Sequence, residues 1–161
     1  MFDYPKRKHP RLKRYDYSTP GAYFVTICTE GKRPLLSAVR QNETVLSKYG
    51  HCVETNLLSL PVRYPFLEIR KYAIMPNHIH AILVMKSGTE YDGKRFPITA
   101  IICAYKSLTA NDCHRFGMKE KLFQTSFYEH VIRDRDEYAD VEKYIADNPL
   151  KWREDEFYSE S

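Results

Sequence analysis

The sequence predicts a single α+β domain with the split βαβ arrangement of ferredoxin-like and RRM-like folds. Short runs rich in β-branched and aromatic residues alternate with segments whose apolar residues recur every three or four positions, in the order β-α-β-β-α-β-α. A chain of 161 residues with 43% hydrophobic residues fits one domain. We therefore expect a four-stranded antiparallel sheet with two helices on one face, followed by an additional C-terminal helix.

The first half of the chain predicts one strand, a small hairpin and one helix. Residues 22–29 are β-branched and aromatic and lie between two glycine-containing turns, which is typical of a strand. Residues 39–46 are consistent with the hairpin. Ser47 is a candidate N-cap for a helix that runs to Leu60, where a proline follows.

The second half predicts three further strands and two helices. Pro97 suits the first turn of a helix with an apolar stripe, because its missing N–H is not needed there. Asp134 or Asp136 is the expected cap of the last helix, which ends before Pro149. The three strands are predicted at residues 66–75, 78–85 and 123–131.

Positive charge is concentrated at the N-terminus, although the net charge is only +4. Residues 5–14 contain six lysines and arginines and no acid, which is typical of binding to a phosphate backbone, and a merely solvated tail is the alternative. We divide the chain into a basic arm at residues 1–18, one folded domain at residues 19–152 and an acidic tail at residues 153–161. The cations of the arm are Lys6, Arg7, Lys8, Arg11, Lys13 and Arg14.

The apolar runs and the cysteines narrow the class of protein. No run approaches the length of a membrane span, and charged residues rather than a signal sequence follow the start, so we expect a cytoplasmic protein without a membrane partner. The four cysteines lie far apart without Cys-x-x-Cys spacing, which argues against a zinc knuckle or a disulfide framework.

Two histidines open the third predicted strand. His78 and His80 are separated by one residue, and side chains two apart on a strand point to the same face. Two imidazoles on one face are a partial metal site, which needs a further ligand from elsewhere in the fold. The alternative is a solvated polar face at the end of a strand.

The last helix carries a second pair. Tyr144 and Asn148 are four residues apart, so their side chains point the same way beside an apolar stripe. A tyrosine offers a nucleophile, and an asparagine carbonyl oxygen suits a hard cation. The alternative is a core aromatic and a helix C-terminal residue.

Together these segments resemble the single-tyrosine HUH transposases, and within them the REP-associated tyrosine transposases. Met75-Pro76-Asn77-His78-Ile79-His80 and Tyr144-Ile145-Ala146-Asp147-Asn148-Pro149 are similar to the two family signatures. The similarity covers roughly residues 11–152. Further similar segments are Arg11-Leu12-Lys13-Arg14-Tyr15-Asp16-Tyr17-Ser18, Gly21-Ala22-Tyr23-Phe24-Val25-Thr26, Tyr105-Lys106-Ser107 and Phe127-Tyr128-Glu129-His130-Val131-Ile132-Arg133.

The resemblance implies a site and a reaction. It implies that His78, His80 and Asn148 bind Mg²⁺ or Mn²⁺ and that Tyr144 attacks a DNA phosphodiester, giving a 5′-phosphotyrosine and a free 3′-OH. The implied substrate is single-stranded DNA beside REP-type hairpins, in the cytoplasm at the nucleoid. The domain at residues 19–152 would be the catalytic domain. In that picture the basic arm, Lys106 and Arg133 hold backbone phosphates, and His130 lines the site or is a structural strand histidine.

Rival functions remain. Ile82 counts strongly against a histidine-triad nucleotide hydrolase, because the third histidine of that motif would fall at this position. An RRM-like RNA-binding module shares the sheet but gives no reason for the two histidines. A catalytically silent regulator that binds DNA hairpins stays open, and so does the choice between a monomer and a homodimer.

Overall fold

The fold was analysed in a computed structural model that describes residues 15–87 and 96–159. Residues 1–14 of the basic arm, which include its six cations, lie outside the described residues. The strands are β1 (Gly21–Cys28), β2 (Ser37–Arg40), β3 (Glu43–Leu46), β4 (Leu67–Ile74), β5 (His78–Met85) and β6 (Tyr128–Ile132). The α-helices are α1 (Lys48–Leu58), α2 (Leu60–Arg63), α3 (Ile98–Arg115) and α4 (Arg135–Asp147). Short 3-10 turns cover Glu30–Lys32 and Trp152–Glu154.

The main sheet has four antiparallel strands in the order β4-β5-β1-β6. Strands β4 and β5 are consecutive and form a hairpin, whereas β1 pairs with β5 on one side and with β6 on the other. This is the strand order of a split βαβ fold, so the predicted fold class is confirmed.

Both faces of the sheet are covered. On one face, β1 residues such as Tyr23 and Val25 join the main apolar core with α1 and α3. On the other face, Phe24 and Ile82 pack against residues of α4. Because successive strand residues point to opposite faces, the histidines that open β5 share the face of α4.

The predicted N-caps form as expected. The Ser47 side chain accepts a hydrogen bond from the backbone N–H of Gly50, and Asp134 does the same for Glu137. The predicted hairpin is β2–β3, and its two turn residues, Gln41 and Asn42, adopt positive φ of 51° and 64°. That left-handed geometry matches the right-handed twist of the two strands.

The fourth strand of the sheet is shorter than its sequence pattern indicates. Phe123 makes only an isolated bridge with Thr29, and regular pairing begins at Tyr128. The Lys106 ammonium donates to the carbonyls of Gln124 and Thr125 at 2.6 and 2.9 Å. The carbonyls of this loop are therefore bound to a side chain of α3, whereas the N–H of Gln124 still donates to the carbonyl of Cys28 at 2.9 Å.

No helix among the described residues is both long enough and apolar enough to cross a bilayer.

Candidate active site

His78 and His80 lie together on the α4 face of the sheet. Both side chains are fully buried, and their ring centroids are 4.4 Å apart. The strand spacing that predicted a shared face is thus seen in the structure. Burial lowers the pKa of His78 to about 4 and lowers the pKa of His80 well below its usual value. At neutral pH both rings are uncharged, which is the form that binds metals.

Asn77 determines which nitrogen of His78 carries the proton. The Asn77 amide nitrogen donates to the carbonyls of Lys32 and Phe157, at 3.2 and 2.7 Å, which fixes the orientation of the amide. Its oxygen then accepts from His78 Nδ1 at 2.9 Å. Since a neutral imidazole has one proton, His78 Nε2 presents a lone pair.

Thr26 holds the second ring. It is the cross-strand partner of His80 in the β1–β5 pair, and its hydroxyl lies 2.7 Å from His80 Nδ1. If Nδ1 donates to the hydroxyl, the neutral ring has its lone pair on Nε2, which is the nitrogen that could bind an ion. Thr26 is itself buried.

Asn148 approaches the histidines from the C-terminal end of α4. Its amide nitrogen donates to the carboxylate of Asp155, which leaves the amide oxygen 3.3 Å from His78 Nε2. Two lone pairs therefore face each other across this gap. Such an arrangement is unfavourable alone and favourable around a cation, so the donor set fits a metal ion.

Asp155 is the residue that sequence reasoning missed. One ligand atom each from His78, His80 and Asp155 lies within 4.8 Å of the others, a group that fits one metal ion. The aspartate follows the 3-10 turn after α4 and belongs to the segment interpreted only as an acidic tail. An irregular segment has no periodic pattern that would show where its side chains point. The only indication of a metal ligand in the sequence was the carboxyl group of Asp155, which lies among several other acids.

Tyr144 completes the cluster from one turn earlier on α4. Its half-buried ring lies 5.3 Å from the ring of His80 and 6.1 Å from that of Phe24, measured between centroids. Burial, helped by the carboxylates of Asp155 and Glu156, raises the pKa of its phenol above the usual value. The hydroxyl is therefore protonated at neutral pH without a cation.

Phe157 covers the histidines. Its ring centroid is 4.6 Å from that of His78, and Lys32 lies over the same ring at 5.3 Å. Asn77 binds the Phe157 carbonyl, and the Phe157 N–H donates to Asp155 at 2.7 Å. The segment interpreted as an acidic tail thus packs on the site.

The remaining predicted site residues lie elsewhere. Lys106 is on α3, whose packing is against the opposite face of the sheet, and its ammonium binds the two loop carbonyls described above. Arg133 is exposed between β6 and α4. His130 Nε2 contacts the Glu137 carboxylate in the first turn of α4. The structure therefore brings together His78, His80, Tyr144 and Asn148 but not Lys106, and the six cations of the arm lie outside the described residues.

Comparison with known proteins identifies relatives of the chain that carries this cluster. No protein-family model matches the chain. A protein of unassigned function from Haemophilus influenzae is 28% identical, over 94% of this chain and 93% of its own length. The REP-associated tyrosine transposase of Escherichia coli is 24% identical, over 86% of this chain and 72% of its own length. The chain is thus similar over most of its length to REP-associated tyrosine transposases.

A solved structure of a REP-associated tyrosine transposase bound to a REP hairpin shares the fold. The TM-score is 0.60 with 18% identity, and the match covers 94% of this chain and 74% of that one. These transposases are enzymes, so the expectation of an enzyme is confirmed by its relatives. The resemblance first seen in two short motifs extends over most of the chain.

Proposed function

We propose that this protein is a divalent-metal-dependent transposase that cleaves and rejoins single-stranded DNA beside a hairpin. The observation that carries the proposal is the convergence of His78 Nε2, the Asn148 amide oxygen and the Asp155 carboxylate next to the ring of Tyr144. The named relatives and the hairpin-bound homologous structure support the choice of a DNA hairpin as partner.

The ion would be held by the two imidazoles and by the side-chain oxygens of Asn148 and Asp155. The side-chain oxygens suit Mg²⁺ or Mn²⁺, and the two neutral imidazoles make Mn²⁺ the better fit of the two. When bound, such an ion neutralises charge on the scissile phosphate, polarises its phosphorus and opposes the carboxylates that raise the pKa of Tyr144. Thr26 and Asn77 orient the two rings for this task through their Nδ1 hydrogen bonds.

Tyr144 would be the nucleophile. Its phenol oxygen forms a bond to phosphorus and loses its proton, while the bond from phosphorus to the 3′ oxygen breaks and that oxygen leaves as a 3′-OH. The product is a 5′-phosphotyrosine, which keeps the energy of a phosphodiester. A second 3′-OH reverses the step and joins strands without ATP.

Access of DNA to this site requires Phe157 to move. Both imidazoles are fully buried, and the ring of Phe157 lies against His78. We propose that a phosphate reaches the buried histidines through the space that this ring covers. We therefore infer that DNA displaces Phe157 and keeps the sheet-borne histidines in place.

Phosphate contacts away from the cluster would come from the basic arm and from Arg133. Arg133 is exposed next to the N-terminus of α4, where its guanidinium is free to reach solvent. Lys106 stays a predicted phosphate contact, although its ammonium is bound by two carbonyls here.

The test is a cleavage assay on hairpin oligonucleotides copied from DNA that flanks the gene, with single-stranded flanks. The parental protein should cleave one flank with Mg²⁺ or Mn²⁺ and not with a chelator, and Tyr144→Phe should bind equally and not cleave. Tight hairpin binding without cleavage in either metal would identify a silent regulator. A preference for the RNA version of the hairpin would favour an RNA-binding module.

A further inference from the structure

A groove runs beside the histidine cluster, between the β2–β3 hairpin and the segment that follows α4. Its volume is about 540 Å³, within the roughly 300–1,000 Å³ that ligand sites occupy. Pro76, two residues before His78, forms part of its wall. The other lining residues used below are Arg40, Gln41, Asn42, Lys151, Arg153 and Tyr158.

The groove has an excess of positive charge. Arg40 lies on one side and Lys151 and Arg153 on the other, all exposed, against one lining acid, Glu154. Among residues 15–87 and 96–159, none of these three cations has a side-chain ion pair or hydrogen bond. Arg33, by contrast, is neutralised by Glu120. The cations of the groove are therefore available to an anion.

An aromatic surface joins the groove to the site. Tyr158 is 39% exposed, and its ring meets that of Trp152 edge-on at 5.4 Å between centroids. Trp152 also lines the groove, and its ring centroid lies 6.0 Å from that of His78. One aromatic side chain therefore connects the groove with the histidine cluster.

We propose that this groove binds nucleotides of the single strand that adjoin the scissile phosphate. Arg40 and Arg153 would hold backbone phosphates, Tyr158 would stack on a base, and the amides of Gln41 and Asn42 at the hairpin turn would contact base edges. The inference rests on the proposed function, since it assigns the substrate of that same site. An acidic peptide or free phosphate would satisfy the arginines but would make no use of the aromatic surface.

The first experiment compares hairpin oligonucleotides whose single-stranded flank is lengthened one nucleotide at a time, on either side of the cleavage point. For the parental protein, affinity should rise with the length of one flank. The double variant Arg40→Gln, Arg153→Gln should lose this gain in affinity. The magnitude of its slope of log K against log salt should fall by roughly 1.4, about 0.7 for each lost phosphate contact. Binding of the hairpin without a flank should not change.

Arg63→Gln is the matched control, because Arg63 is an exposed arginine on α2 outside the groove. Equal weakening of flanked and unflanked hairpins by the double variant would mean a general charge effect and would overturn the proposal. So would unchanged affinity for every flank. These are binding measurements, so an absence of cleavage would defeat the proposed function without deciding the groove.

The second experiment isolates stacking. Tyr158→Ala should weaken binding of the flanked hairpin by roughly tenfold, the effect of losing one stacked base, whereas Tyr158→Phe should bind as the parental protein does. If Tyr158→Phe is as weak as Tyr158→Ala, the phenol oxygen rather than the ring is used, and the stacking assignment is wrong. If neither changes affinity, the base does not lie in this groove.

Discussion

Apart from Tyr144 and Asn148 at the C-terminal end of α4, the candidate site has two halves that differ in how the fold holds them. One half is carried by the sheet, where His80 faces Thr26 across paired strands and both are buried. The other half is carried by the segment after α4, where Asp155 and Phe157 are held by a 3-10 turn and a few side-chain hydrogen bonds. The paired strands are the more rigid part of a fold, and short irregular segments open most easily. We infer that the sheet half fixes the chemistry and that the other half adjusts metal binding and access.

The largest expected effect comes from breaking the sheet half. His80→Ala should abolish metal-dependent cleavage while hairpin binding stays near the parental affinity, because the ion loses a ligand and the cationic surface is untouched. The measurement is cleavage and binding of the same labelled hairpin with Mn²⁺ present. His51→Ala, an exposed histidine on α1, is the control and should cleave normally. Cleavage by His80→Ala at the parental rate would remove His80 from the metal site.

Asp155→Asn tests whether the irregular half supplies a ligand. The amide keeps the size of the side chain and one acceptor oxygen, but it removes the negative charge and one of the two hydrogen bonds that Asp155 accepts from Asn148 and Phe157. We expect the Mn²⁺ concentration for half-maximal cleavage to rise by more than about 100-fold, beyond the roughly 10–100-fold that the loss of an outer-shell partner costs. A titration with Mn²⁺ measures this directly. An unchanged titration midpoint would show that Asp155 is not a ligand.

Thr26→Val should have a smaller effect of the same kind. Valine is nearly isosteric and cannot hydrogen-bond to His80 Nδ1, so the ring loses its orientation but remains a ligand. We expect metal affinity to fall by about tenfold, with full activity restored at high Mn²⁺. Activity that stays low at saturating Mn²⁺ would mean that Thr26 acts in another way.

Phe157→Ala should have the smallest effect and the opposite sign. Removing the ring that lies on His78 should raise the cleavage rate at low DNA concentration by a few fold, since DNA no longer has to displace it. Phe116→Ala, at an exposed phenylalanine, is the control. A rate that falls together with thermal stability would mean that Phe157 is a packing residue of the closed site.

The sequence predicts the parts of the site that lie in regular structure. A strand period of two accounts for His78 and His80, and a helix spacing of four accounts for Tyr144 and Asn148. Thr26 could not be paired with His80, because the register between distant strands is not visible in one sequence. Asp155 escaped because an irregular turn sets its position.

The fold follows the same division. The order of elements and the N-caps at Ser47 and Asp134 could be predicted, since apolar periodicity and capping chemistry act locally. The start of the fourth strand could not. The loop before that strand contacts Lys106 of α3, and a contact between residues so far apart in the chain is not visible in local sequence patterns.

The central claim is that Tyr144 becomes covalently joined to DNA at a metal site built by the sheet. The most direct measurement incubates the protein with Mn²⁺ and single-stranded DNA labelled 3′ of the scissile phosphate, then isolates the denaturation-resistant complex and maps the modified peptide by mass spectrometry. We predict an adduct that requires the metal, lies on Tyr144 and is absent from Tyr144→Phe. An adduct on another of the thirteen tyrosines, or one formed by Tyr144→Phe, would contradict the account.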